Sequence, residues 1–148
     1  MHNIGEILQN SCLWTAVCAW FIAQGLKVLQ DRKFTWRRFL SSGGMPSSHT
    51  ASVVAISVMV GGKMGFDTAL FAACCVFGIV VMYDAAGVRR ETGRQGKAIN
   101  DIVQKVLVEN EPITDDIMKE VMGHRPVEVA MGALLGIAVA VVSLLLGF

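Results

Sequence analysis

Charge is scarce in this sequence, and two long stretches have none. Charged side chains make up 17% of the 148 residues, below the roughly 25% of a typical soluble domain. Residues 7–26 and 129–148 hold no Asp, Glu, Lys or Arg. No apolar stretch has an ionisable residue near its middle, which disfavours a transporter, since substrate and ion sites at mid-membrane depth need one. There are four cysteines, Cys12, Cys18, Cys74 and Cys75. All lie in apolar surroundings and none has metal-ligand spacing to a histidine, so neither a disulfide framework nor a metal site is expected. They read as small packing residues. The N-terminus lacks a basic segment ahead of its first apolar run, so no cleavable signal peptide is expected.

What is present is hydrophobic residue in blocks. The hydrophobic fraction is 53% and the mean hydropathy +0.53. Charges are nearly confined to residues 27–38 and 84–128. A soluble domain interleaves apolar and polar residues at helical or strand period, so blocks point to lipid. Four can be read, at 7–29, 50–62, 68–83 and 129–148. The first and last meet the spanning length of about 20 residues. The second is short. It either gains length from its flanks, with Lys63 snorkelling to the interface, or forms a re-entrant hairpin with the third. The expected fold is all-α. It is a single membrane-embedded domain, 1–148, with about four membrane helices and short amphipathic cytoplasmic helices.

The ends of the 50–83 hairpin emerge on one side in either case, so segments 30–49 and 84–126 share a face. The first carries Arg32, Lys33, Arg37 and Arg38; the second carries Arg89, Arg90, Arg94, Lys97, Lys105, Lys119 and Arg125. The opposite face has only Lys63. The positive-inside rule therefore predicts cytoplasmic basic loops and both termini outside.

The polar segments are where chemistry can sit. Residues 41–49 read SSGGMPSSH and run directly into the second block. Gly, Pro and Ser there mark a turn ending at a helix start, with Ser47 or Ser48 as N-cap. Free N–H groups and the helix dipole favour an anion at such an end, and His49 is placed to exchange a proton with it. An ordinary cap with an interfacial histidine is the bland alternative. After the third block, Asp84 lies at the membrane edge, where a carboxylate usually finds a cation. Arg89 and Arg90 are candidate partners and candidate phosphate ligands, or simply anchor charges. A stripe at 99–107 is amphipathic, and Pro112 ends it before a short helix begins at Thr114. Residues 123–128 read GHRPVE. Pro126 fits the first helical position, with Arg125 as N-cap and Glu128 at N3. Glu128 there can hold His124 in one tautomer, or merely cap the helix. Further on, Gly132 and Gly136 form a small-residue face for close packing.

Three stretches together, SGGMPSSHTA at 42–51, MYDAAGVRRETGRQGKAIN at 82–100 and GHRPVEVAMGALLGI at 123–137, resemble the divergent branch of the type 2 phosphatidic acid phosphatase superfamily. That superfamily is related to acid phosphatases and vanadium haloperoxidases. Its motifs are a Lys/Arg segment, Pro-Ser-Gly-His, and Ser-Arg followed by His-x-x-x-Asp. Residues 46–49 are similar to the second motif, with Ser48 for Gly. His124 with Glu128 is similar to the last part, with Glu for Asp. Lys27 looks like the lysine of the first, though no Arg-Pro follows it. Met118 stands where the third motif has Arg, so Arg89 or Arg90 must supply that cation. The superfamily core usually has six membrane helices, against four here.

The resemblance implies a membrane-embedded, metal-independent phosphatase acting on a lipid phosphate or pyrophosphate monoester through a phosphohistidine. His124 would be the nucleophile, Glu128 its orienting partner and His49 the general acid. Lys27, Ser48, Arg89 and Arg90 would bind the phosphate, with Asp84 supporting. It implies no cofactor and no metal. The partners expected are membrane lipid and a phosphorylated lipid substrate, with no nucleic acid and a homo-oligomer left open. A multi-pass protein of a bacterial plasma membrane with a cytoplasmic active face is expected. The competing function is a non-catalytic membrane protein that binds anionic lipid or a protein partner through the same arginines.

Overall fold

The computed structural model describes residues 4–31, 44–88, 91–93, 95–100 and 124–148. The described residues form helices and turns, with no strand among them. A short 3-10 turn, Ile4–Gln9, leads into α1 (Ser11–Asp31). Then come α2 (Ser48–Met64), α3 (Ala69–Tyr83) and α4 (Pro126–Leu145). A π-helical turn, Asp84–Val88, continues α3. The amphipathic stripe expected over 99–107 lies, beyond residue 100, outside the described residues, as does the short helix expected after Pro112.

Each helix start has a local chemical cause. Asn10 accepts from the Leu13 amide through Oδ1 at 3.0 Å and so caps α1. Ser47, of the two serines that could cap α2, takes the role: its Oγ accepts from the Thr50 amide at 3.4 Å and from Thr50 Oγ1 at 3.0 Å. Thr68 caps α3 by accepting from the Phe71 amide at 3.2 Å. Such caps contribute about 1 kcal/mol each. Pro126 opens α4, where its missing N–H costs nothing. Gly65 ends α2 at φ 106°, a conformation open to glycine and costly to others. Thr68 Oγ1 donates to its carbonyl at 2.8 Å, which closes the hairpin. Phe66 and Phe71 meet edge to face there, 5.1 Å between centroids.

Three helical spans are long and apolar enough to cross a membrane: Ser11–Gln30 in α1, the span that starts at Ala69 with α3, and Pro126–Leu145 in α4. The remaining one, α2, is the innermost. It packs on α1, α3 and α4, and its buried face runs through Ser48, Thr50, Ala51, Ala55, Ser57, Met59, Val60 and Gly61. By contrast α3 buries only Gly78 among its residues and exposes Leu70, Val76, Phe77, Ile79 and Val80. That contrast is what lipid demands: the most apolar helix faces outward, and the helix with hydroxyls is wrapped by the others.

The hairpin runs the length of the bundle. At one end Ser47 lies against α4. At the other, Lys63 Nζ donates to Ser11 Oγ at 2.6 Å, and Gly62 abuts the side chain of Leu144. A hairpin that turned back halfway would reach neither Ser11 nor Leu144. Both chain ends of the bundle thus lie beside the Gly65 turn.

The core is built from small side chains. Ala19 and Ala23 of α1, Ala51, Ala55 and Met59 of α2, and Ala140 of α4 are fully buried together. On α4, Gly132, Gly136 and Ala140 recur every four residues. A Cβ on Gly132 would lie 2.5 Å from the Ser47 carbonyl oxygen, and one on Gly136 2.5 Å from that of Ala51. Lipid tails are as apolar as leucine, so close backbone approach supplies van der Waals contact that hydrophobicity cannot. The small-residue face read from the sequence is therefore the α2–α4 contact itself.

Candidate active site

Antiparallel order brings four helix termini to one end: the last turns of α1 and α3, and the first turns of α2 and α4. Two main-chain hydrogen bonds tie them. The Ser47 amide donates to the Glu128 carbonyl, and the His124 amide to the Ala85 carbonyl, each at 3.0 Å. The N-termini of α2 and α4 are thus neighbours, and their unsatisfied N–H groups and dipoles favour negative charge between them.

Glu128 is at N3 of α4. Its Oε2 accepts from the Arg125 amide at 3.2 Å and lies 2.9 Å from His124 Nδ1. An arginine side chain has no acceptor, so only the carboxylate half of a capping box operates here. An ionised carboxylate can only accept, so its contact selects the tautomer with the proton on Nδ1 and leaves a lone pair on Nε2. His124 is 2% exposed. Its Nε2 is buried and has no hydrogen-bond partner among the described residues. A buried polar atom left so is costly, and this one has the chemistry of a held, directional nucleophile or base.

Lys27, one turn before the end of α1, is buried with its ammonium 3.4 Å from Ser48 Oγ. Its stem runs past Gly44, where a Cβ would sit 3.7 Å from Lys27 Cδ. Gly44 has φ 92°, so both backbone and neighbour suit glycine. Ser48 is fully buried at the first position of α2, and His49 follows it, half-buried. Asp84 is half-buried at the junction of α3 and the π turn. Arg89 and Arg90 lie outside the described residues. Among the described residues no group of three or more His, Cys, Asp or Glu side chains could hold a metal ion.

The structure thus joins Lys27 to Ser48 and His124 to Glu128, and links the two pairs through the Ser47 main chain. It adds Gln24, which sequence reading passed over. Gln24 is 3% exposed, and its Oε1 is buried without a partner among the described residues. The available signal was its position, three residues before Lys27 on the same helical face.

A four-helix membrane bundle with an oriented histidine where two helix N-termini meet defines the class. A family described as the Divergent PAP2 family matches residues 8–139. The chain belongs to that family. It is also similar to YuiD of Bacillus subtilis (strain 168), an uncharacterized membrane protein, with 38% identity over 93% of this chain and 96% of the relative. No solved structure matches.

Proposed function

We propose that the protein is a membrane-embedded, metal-independent phosphatase that hydrolyses a lipid phosphate or pyrophosphate monoester. The observation that carries this is the His124–Glu128 pair: Nδ1 is held at 2.9 Å by a carboxylate, and Nε2 is buried without a partner among the described residues.

In this reading His124 Nε2 attacks phosphorus, forming the N–P bond as the P–O bond to the lipid breaks. His49 gives a proton to the leaving oxygen. Glu128 stabilises the positive charge that develops on the imidazole. Water then attacks the phosphohistidine, His49 takes its proton, and inorganic phosphate leaves with the N–P electrons returned to Nε2. Lys27, Ser48, Arg89, Arg90 and the helix N-termini hold the phosphoryl oxygens. Asp84 supports the cationic side of the site. The site end faces the cytoplasm and both chain ends lie outside, because Lys and Arg crowd the loops at that end.

The test is phosphate release from a panel of lipid phosphates by the purified protein in detergent, with a search for an acid-labile phosphoprotein. Release with wild type and none with His124→Ala supports the reading. No release from any lipid, with anionic-lipid binding that depends on Arg89 and Arg90, establishes the non-catalytic function instead.

A further inference from the structure

Between α1 and α2 lies a cavity of about 280 Å³ lined by Ala16, Val17, Trp20 and Ser52. Helical spacing relates its lining to the candidate site. On α1, residues 16, 20 and 24 follow at four-residue spacing, and Lys27 comes three further on, so one face leads from the cavity past Gln24 to the ammonium. On α2, Ser52 is one turn from Ser48, and its Oγ donates to the Ser48 carbonyl at 3.1 Å. The cavity itself is lined mostly by apolar side chains. Further along the same two helices toward the site lie an ammonium and a hydroxyl 3.4 Å apart. On α1, between the cavity residues and Lys27 in sequence, comes Gln24, whose Oε1 is buried without a partner among the described residues.

An apolar trough that opens onto cationic and hydroxyl groups fits a molecule with a hydrocarbon chain below and a phosphate above. A buried carbonyl oxygen at the junction asks for a hydrogen-bond donor. We propose that the α1–α2 groove is the chain subsite of the lipid phosphate, and that Gln24 accepts from a hydroxyl on the lipid beside its phosphate-bearing carbon. The proposal rests on the phosphatase reading for its substrate class, but it concerns binding and is tested by binding.

The experiment uses the purified full-length protein in detergent and a single-chain lipid phosphate carrying a photoreactive diazirine mid-chain. Labelling should concentrate on Ala16, Val17, Trp20 and Ser52, and fall about 10-fold for the same chain ending in a methyl ester, since the head would lose its ionic contacts. Equal labelling by both probes would make the groove a general lipid crevice and overturn the subsite. Unlabelled competitors test Gln24. A phosphate with a hydroxyl beside the phosphate-bearing carbon should displace the probe at roughly 10-fold lower concentration than the plain alkyl phosphate, one net buried hydrogen bond. Gln24→Leu, with an unchanged melting profile, should erase that preference. A preference that survives Gln24→Leu removes Gln24 from recognition. None of these measurements requires turnover, so a protein that binds but releases no phosphate would overturn the phosphatase reading and leave the subsite standing.

Discussion

The amide of Ser47 donates to the main-chain carbonyl of Glu128 at 3.0 Å. One hydrogen bond thereby joins the turn that precedes His49 to the first turn of the helix that orients His124. Because it is made by backbone atoms, it fixes the spacing of two helix starts without using a side chain from either polar segment. What moves Ser47 moves Glu128.

Gly132 and Gly136 should therefore differ in effect when each is changed to alanine. Both would place a Cβ 2.5 Å from a carbonyl oxygen, and overpacking of this kind costs about 1–3 kcal/mol. Gly136→Ala meets Ala51 in mid-bundle and should mainly lower thermal stability in detergent. Gly132→Ala meets Ser47 and should also reduce turnover measured well below its own melting temperature. Equal loss of turnover in both variants would argue against mechanical coupling through Ser47.

Glu128→Gln keeps an oxygen for the Arg125 amide, so the helix cap should survive and the melting temperature change little. Loss of the negative charge should lower kcat by roughly 10²–10⁴-fold, by analogy with removal of an orienting carboxylate elsewhere. Unimpaired turnover would show that Glu128 only caps α4.

The two histidines should separate kinetically. His124→Ala should yield no phosphoprotein with any substrate. His49→Ala should still form it from a phosphate ester with a good leaving group, which needs little protonation. Vanadate should inhibit the wild type by occupying the phosphate position. Full activity in His124→Ala would remove it as nucleophile.

Lys27→Met preserves much of the buried stem that passes Gly44 while deleting the charge beside Ser48. KM for a lipid phosphate should rise about 10–100-fold, the loss of one charge-assisted contact. Lys27→Arg should not rescue it, because a planar fork does not fit where a compact ammonium is buried. Competition of inorganic phosphate against a lipid probe gives the same comparison without turnover.

Orientation is testable by cysteine labelling. With the four native thiols replaced, Thr35→Cys and Asn110→Cys should resist an impermeant maleimide in intact cells and react after permeabilisation. Reaction from outside would reverse the proposed cytoplasmic placement.

Much of this architecture is legible in the residues, because its determinants are local. Pro126 at N1 and Glu128 three residues after Arg125 specify where α4 starts. The i, i+4 spacing puts Glu128 within reach of His124, and the four-residue repeat of glycine marks the α2–α4 contact. The length of α2 is harder to read, since its apolar core at 50–62 is short. The hydroxyl-bearing residue at its start and Lys63 at its end extend it, because α2 is sheathed by other helices and can carry polar turns. Two features could not be read locally. The acceptor for the His124 amide is the Ala85 carbonyl, and main-chain acceptors leave no trace in side-chain pattern. Gln24 looks like one polar residue in an apolar helix, and only the packing of α1 on α2 shows that it is buried.

The unequal lengths of α1 and α2 have a consequence for the surrounding bilayer. With 21 and 17 residues they differ by four, about 6 Å at 1.5 Å per residue. The excess lies at the site end, where Lys27 meets Ser48 four residues before α1 stops. The candidate site is thus sunk by about one helical turn beneath the rim of its neighbour. A lipid headgroup in a thick membrane must be drawn inward to reach it, whereas a thin membrane presents the headgroup at that depth already. Hydrophobic mismatch costs fractions of a kcal/mol per Å. Binding of a lipid phosphate should therefore strengthen in vesicles of shorter acyl chains, making membrane thickness itself a control on access.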